Sequence, residues 1–252
     1  MFGLDIGGTG IKGAPVDVAT GTLSGERLRV MTPRPATPAA VALVCASVMK
    51  TAGYSGILGV TYPGVVKAGR AMTAANVDGE WIGADIEALL SAATGCDVVA
   101  VNDADAAGLA EVRFGAGKDV PGVVVVVTLG TGIGTGIFLD GALLPNSELG
   151  HLEIGGLDYE DMAADSARER EDLSWEDWAR TRVSTYLAHL EALLWPDLFI
   201  MGGGVSKKSD KWLPHVKVKT PVVPAALLNS AGIIGAAMHA SEQRPTAPDS
   251  HH

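Results

Sequence analysis

A chain of 252 residues, 47% apolar and only 19% charged, can bury a full core as one large domain or two lobes, and is neither disordered nor fibrous. Its net charge of −10 excludes general nucleic-acid binding, which needs a basic footprint. Asp5 interrupts the apolar N-terminal run and no stretch reaches ~18 apolar residues, so neither a signal peptide nor a membrane span is expected and the protein reads as cytoplasmic. Cys45 and Cys96 lie in apolar surroundings and read as buried free thiols, with a structural pair as the alternative; two cysteines alone cannot build a cysteine zinc site.

Phe2 to Ile6 reads as a strand running into Gly7-Gly8-Thr9, and Ile11 to Val18 as the next strand, so this glycine turn closes a hairpin. A dinucleotide fingerprint or a P-loop needs a helix there, and neither pattern is present. A third strand, Arg27 to Met31, makes the start of the sheet antiparallel. Pro38 suits the first turn of a helix to about Gly53. Ile57 to Val60 is a short buried strand ending in Thr61-Tyr62-Pro63-Gly64, a turn that either presents Thr61 and backbone amides to a ligand or only reverses the chain. A helix from about Ala84 to Ala93 precedes the strand Asp97 to Val101, and the Ala-rich stretch Asp103 to Phe114 is helical. Asp103 or Asp105 is there either as an N-cap or as a reactive carboxylate.

Gly122 to Leu129, with five consecutive valines, belongs at the centre of a sheet covered on both sides. It runs into the Gly130–Gly136 loop, and Ile137 to Leu139 is the next strand. Glu148 to Glu153 reads as a polar loop, and Asp158 to Asp172 as a charged, partly helical and mostly solvated stretch. A helix starts at Ser174, continues to Leu194 and is stopped by Pro196. Leu198 to Met201 is a buried strand ending in Gly202-Gly203-Gly204. Lys207, Lys208, Lys211, Lys217 and Lys219 follow, either a solvated face or a polyanion site. Asn229 to His239 is the last helix, and Gln243 onward reads as a disordered tail. The same succession thus runs twice, over Met1 to Val101 and Asn102 to Asn229. It predicts an α/β protein of two lobes with a cleft between them: 1–101 with the C-terminal helix 229–242, and 102–228, with 243–252 as the tail.

The chemistry gathers at two polar clusters. Asn102 and Asp103 stand at the C-terminal end of an apolar strand, where open α/β sheets bind ligands. Asn102 can donate and accept, and Asp103 can take a proton from a hydroxyl. Glu148 and His151 offer an acceptor and a donor three residues apart. Such a mixture suits a polyhydroxylated ligand with one hydroxyl to be deprotonated, while the glycine-rich loops bring backbone N–H groups to phosphate oxygens. A base facing phosphate loops reads as a sugar kinase.

Leu4-Asp5-Ile6-Gly7-Gly8-Thr9, Asn102-Asp103-Ala104-Asp105, Gly130-Thr131-Gly132-Ile133-Gly134 and Glu148-Leu149-Gly150-His151 resemble, in order, the signature set of the ROK sugar kinases. Gly10 to Pro15, Thr61 to Val66, Leu193 to Asp197 and Gly202 to Lys208 are similar to the polyphosphate-using glucokinases of actinobacteria within that family. The resemblance runs from Phe2 to about Ala237. It implies the actin-like, ribonuclease-H-like two-lobed α/β fold and a glucokinase drawing on polyphosphate, ATP or both, with Mg²⁺ as cofactor and a homodimer as the assembly. By position, Asp103 would be the general base for the sugar 6-hydroxyl. Asn76, Asn102, Glu148, His151 and the Pro63-Gly64 turn would hold sugar, together with Glu160 as the glutamate that follows the histidine. Asp5, Gly7, Gly8, Thr9 and Lys12 would hold phosphate, with Asp5 on Mg²⁺. Gly130, Thr131, Gly132 and Gly134, Gly202, Gly203 and Gly204, and Lys207 and Lys208 would flank the donor. Many ROK proteins carry a zinc-binding cysteine cluster after the histidine; its absence here predicts no zinc and matches the polyphosphate-using group. The alternatives are a strictly ATP-dependent glucokinase or a glucomannokinase. A sugar-sensing repressor would need a helix-turn-helix ahead of the first glycine turn, and an actin-like ATPase would not need Asn102-Asp103 together with Glu148 and His151.

Overall fold

The computed structural model describes residues 1–243, in which the chain forms two units, Met1–Ala107 with the segment from Gly232 onward, and Gly108–Ala231. In the first unit β1 (Phe2–Ile6) and β2 (Gly10–Asp17) make the expected antiparallel hairpin, extended on β2 by β3 (Thr22–Leu23) and β4 (Leu28–Met31). Helix α1 (Pro38–Ala52) begins where Thr37 Oγ1 accepts from Ala40 N and ends at Gly53, whose φ of 61° supplies the left-handed stop. After it come β5 (Ile57–Tyr62), the small hairpin of β6 (Val66–Lys67) and β7 (Arg70–Ala71), α2 (Ile86–Thr94) and β8 (Asp97–Asn102). The sheet order is β3-β2-β1-β5-β8, with β5 parallel to both β1 and β8. One face packs on α1 and α2 through Leu4, Ile6, Val60, Val41, Cys45 and Leu90. Burial pushes the Cys45 thiol up to about 12, and both cysteines are free, so the paired alternative is not realised.

Helix α3 (Asp103–Phe114) follows directly from β8, and the unit boundary falls within it, after Ala107. The C-terminal helix, Ala231–Gln243, lays its backbone on the other face of the first sheet. A Cβ on Gly3 would fall 1.9 Å from Ile233 O, one on Gly59 1.9 Å from Ala236 O, and one on Gly235 1.7 Å from Ala106 O. Gly3 and Gly59 let the helix onto the sheet, and Gly235 lets it approach the backbone of α3. The helix was expected from Asn229 to His239. Asn229 instead lies in the tight turn Leu228–Ser230, and the helix runs on to Gln243, so the expected tail retains only residues 244–252, which lie outside the described residues.

The second unit repeats the strand order. β9 (Val123–Leu129), β10 (Ile133–Leu139) and β11 (Ala142–Leu144) are antiparallel neighbours. They are followed by the two-residue strands β12 (Glu153–Ile154) and β13 (Leu157–Asp158), then α4 (Glu160–Ala163), α5 (Asp165–Arg170), α6 (Trp175–Trp178) and α7 (Ser184–Leu194). β14 (Leu198–Gly203), α8 (Ser209–Trp212) and β15 (Val222–Pro224) complete a sheet ordered β11-β10-β9-β14-β15. The valine strand is its centre, parallel to β14 and buried on both faces as its composition requires. A wide π turn, Ala179–Val183, joins α6 to α7 in one helical run from Trp175 to Leu194 and was not expected. Trp178 and Trp212 meet edge to face at 5.3 Å beneath it. Buried Glu111 on α3 accepts from Ala116 N, Ala226 N and Leu227 N, tying the helix end to the chain after β15.

The Gly130–Gly136 stretch is shorter as a loop than expected. Pairing resumes at Ile133, so Gly134 and Gly136 lie in β10 opposite Thr128 and Val126, because the valine strand offers a ladder that outweighs glycine's weak strand preference. The polar loop after Glu148 is a helical turn, Leu149–His151.

Candidate functional site

In the first unit the turn after β1 is built around a carboxylate. Asp5 stands opposite Lys12 across the hairpin and opposite Thr61 across the parallel pair. Lys12 Nζ donates to Asp5 Oδ2 at 3.1 Å, and Thr61 Oγ1 donates to Asp5 Oδ1 at 3.0 Å while accepting from Ile6 N. Thr61 is fully buried, so Asp5 is held from below with a partly exposed upper side. Above it the Gly7-Gly8-Thr9 turn is fixed by Gly7 N donating to Gly10 O, Thr32 Oγ1 to Gly7 O and Arg34 to Gly8 O. Asn76, in left-handed conformation with φ 61°, packs against this turn: a Cβ on Gly8 would lie 3.0 Å from Asn76 Cβ.

At the end of β8, Asn102 is the cap of α3. Its Oδ1 accepts from Ala104 N at 2.9 Å and from Asp105 N at 3.0 Å, which leaves neither aspartate as the cap. Its Nδ2 donates to Gly64 O at 3.0 Å, so the Pro63-Gly64 turn is tied to the strand end that carries Asp103. Gly64, at φ 151°, also packs on Thr73, where a Cβ would lie 2.8 Å from the carbonyl oxygen. Asp103, half-buried in the first turn of α3, accepts from Ala104 N at 2.8 Å. Asn76, Pro63, Gly64, Asn102 and Asp103 thus gather at the C-terminal side of β5 and β8, with the Asp5 turn beside them on β1.

In the second unit the Gly130–Gly132 turn is held by a different device. Glu160 Oε2 accepts from Ile133 N at 2.6 Å, and Gly132 leaves room for that carboxylate, since a Cβ would fall 2.3 Å from it. Ser166, at the start of α5, donates through its backbone to Gly130 O and through its hydroxyl to Thr131 O. Asp158 links this turn to the histidine: its Oδ1 accepts from Glu160 N at 3.0 Å, and its Oδ2 lies 2.9 Å from exposed His151 Nδ1. That hydrogen bond raises the His151 pKa, against burial and with help from Glu160 and Glu148. Burial raises the pKa of Glu148, with His151 opposing and Glu160 adding to it. Gly202 and Gly203 end β14 beside Thr128 and Leu129, and a Cβ on Gly203 would fall 2.2 Å from Leu129 O. Gly204 starts the short helical segment to Lys208, on which Lys207 and Lys208 are exposed.

Sequence reasoning missed Asp158, Ser166 and the role of Thr61 beneath Asp5. Each acts through a partner 7 to 56 residues away, with no local pattern to announce it. Among the described residues, no group of three or more His, Cys, Asp or Glu comes together to hold a metal ion.

Residues 1–167 match the ROK family. A polyphosphate glucokinase of Mycobacterium tuberculosis is 54% identical over 238 residues, which cover 94% of this chain and 89% of that one. Among solved structures, an inorganic polyphosphate/ATP-glucomannokinase from Arthrobacter sp. strain KM aligns with a TM-score of 0.93 at 50% identity, covering 97% of this chain and 99% of its own. A ROK family glucokinase from Streptomyces griseus, solved with glucose and AMPPNP, aligns with a TM-score of 0.82 at 26% identity, covering 96% and 99%. The α/β fold is therefore the actin-like sugar-kinase fold, and the chain belongs to the ROK family.

Proposed function

We propose that this protein is a polyphosphate-dependent glucokinase that also accepts ATP. The observation that carries the reading is 54% identity over 94% of the chain to a polyphosphate glucokinase; the ATP alternative follows the Arthrobacter enzyme, whose name covers both donors. In the reaction the glucose 6-oxygen forms a bond to the terminal phosphorus, the terminal P–O–P bond breaks, and polyphosphate leaves one unit shorter. The hydroxyl proton passes to Asp103, whose position at a strand end on a rigid helix suits a general base.

Asn102 has its oxygen committed to the cap and one amide hydrogen to Gly64, which leaves its second hydrogen for a sugar hydroxyl. Asn76 and the Pro63-Gly64 turn line the same end of the sheet. His151, held at Nδ1 by Asp158, offers Nε2 to a hydroxyl, and Glu148 and Glu160 accept further ones, Glu160 through Oε1. The Gly7–Thr9 and Gly130–Gly132 turns and Gly202–Gly204 offer backbone donors to the donor phosphates, with Lys12, Lys207 and Lys208 as charges. Gly134 contributes as a β10 strand residue beside that turn.

Asp5 is a single hard carboxylate beside the turn. It fits Mg²⁺, which keeps several waters and takes its other ligands from substrate phosphates. When bound, the ion would neutralise phosphate charge. Cytoplasmic action as a homodimer, with no nucleic-acid or membrane partner, completes the reading on the strength of the family. Glucose 6-phosphate formation, assayed in parallel with long-chain polyphosphate and ATP at equal Mg²⁺, tests it. Turnover with polyphosphate is expected, and turnover with ATP alone would replace the donor reading.

A further inference from the structure

The lysine segment after β14 extends well beyond the two lysines beside the glycine turn. Lys207, Lys208, Lys211, Lys217 and Lys219 are five of the chain's nine lysines, packed into thirteen residues of a protein of net charge −10. All five are exposed, and among the described residues none of their ammonium groups enters an ion pair. Arg168, Arg170, Arg180 and Arg182 on the neighbouring helices are all paired. A row of unneutralised cations repels itself until an anion is supplied.

Topology strings this row out. β14 and β15 are parallel, so residues 204–221 must return from the C-terminal end of one strand to the N-terminal end of the other. The returning segment follows the helical run from Trp175 to Leu194. Lys208 Nζ lies 5.4 Å from the Trp175 ring centroid, and the same ring carries the Arg168 guanidinium at 3.9 Å. His215 then lies 3.9 Å from Glu176, Lys217 N donates to Ser184 Oγ at 2.9 Å, and Lys219 N donates to Glu191 Oε1 at 2.9 Å. From Trp175 to Glu191 the helix rises about 24 Å at ~1.5 Å per residue. At the far end Lys219, Thr220 and Glu191 line a surface pocket of about 350 Å³ with Ala188, Ala192 and Trp195, the last 80% exposed. Burial works against ionisation of Glu191, but hydrogen bonds from Thr220 and Lys219 outweigh it and hold the carboxyl below its usual range. That carboxylate is committed to the backbone.

We infer that Lys217, Lys219 and the Trp195 pocket form a second seat for the polyphosphate chain, whose reacting end lies at the glycine end of β14. The inference rests on the polyphosphate reading above. The lysines between the two seats track the chain, and Trp195 contributes an indole that can donate from its N–H. ATP and tripolyphosphate are too short to occupy both ends, so the far seat selects donors by length and adds counterion release for long chains alone.

The test is the Lys217→Glu/Lys219→Glu double variant, assayed with long-chain polyphosphate, tripolyphosphate and ATP, together with direct binding of labelled long-chain polyphosphate. The expected result is a KM and a binding constant for long chains raised about tenfold, with kcat and ATP kinetics unchanged and a shallower salt dependence. A Lys217→Gln/Lys219→Gln variant is expected to fall between the two, which separates charge from packing. Long-chain values within about twofold of the unaltered protein, or an equal rise for every donor, would overturn the far seat while leaving the donor reading standing. No polyphosphate turnover by the unaltered protein would overturn the donor reading, and the far seat with it.

Discussion

Asp5, Lys12 and Thr61 sit side by side on β1, β2 and β5; the same three places on β9, β10 and β14 hold Thr128, Gly134 and Gly202. One strand order therefore carries two glycine turns fixed in opposite ways. The first rests on a carboxylate that an ammonium and a hydroxyl engage from either side. The second rests on small residues, and its carboxylate, Glu160, comes from outside the sheet to accept from Ile133 N. The contrast continues at the last strand: β8 delivers Asn102 and Asp103, whereas β15 ends in Pro224 followed by Ala225. The scaffold is duplicated and the charge is not. The first turn can neutralise or hold charge with side chains; the second presents bare backbone to whatever approaches it.

The largest effect expected from this asymmetry is at Asp103. Asp103→Asn should lower kcat by roughly 10²–10⁴ with little change in the KM for glucose, read by steady-state kinetics. Near wild-type turnover would remove Asp103 as the base. Next, Asp5→Ala should lower kcat about 10²-fold with either donor, because it removes the carboxylate proposed to hold Mg²⁺ and the partner that fixes the Lys12 ammonium. Thr128→Ala removes only a 3.4 Å contact to Gly134 O and should change kcat by less than about twofold. Equal losses at both positions would break the comparison.

Stability offers a sharper cut within the second unit. Gly203→Ala combines a φ of 81° with a backbone clash and should cost ~1–3 kcal/mol or more in denaturant unfolding. Gly130→Ala meets no atom within 4 Å and should stay within about 0.5 kcal/mol. The smallest effect is at the exposed His151–Asp158 pair. A raised His151 pKa means that the pair's contribution is fully present below the ordinary histidine value and is lost as pH rises through the raised one. Asp158→Asn removes the main cause, so the imidazole midpoint followed by NMR should fall, with little change in overall stability.

The hairpin starts, the valine strand and the strand end carrying Asn102 were legible because apolar runs and glycine turns announce themselves within a few residues. Ile133 was hidden as a strand start because glycine-rich sequence reads as loop until a partner strand is known. The cap role of Asn102 was concealed by two neighbouring aspartates equally able to fill it. The π turn at Ala179–Val183 has no residue signature. The site residues most removed from view were those whose partners are distant: Ser166 reaches back 35 residues to Thr131, and Thr61 reaches 56 to Asp5.

The C-terminal helix that lies on Gly3 and Gly59 has a consequence for biosynthesis. The Gly108–Ala231 unit is continuous in sequence and can complete itself as it emerges from the ribosome, whereas the first unit lacks one covering layer until residues beyond Gly232 appear. At ~5–20 residues per second, that interval is on the order of ten seconds. Throughout it the back of β1 and β5, notched by glycine to receive a helix, is open to whatever apolar chain is nearby. The unit translated first is thus the one finished last.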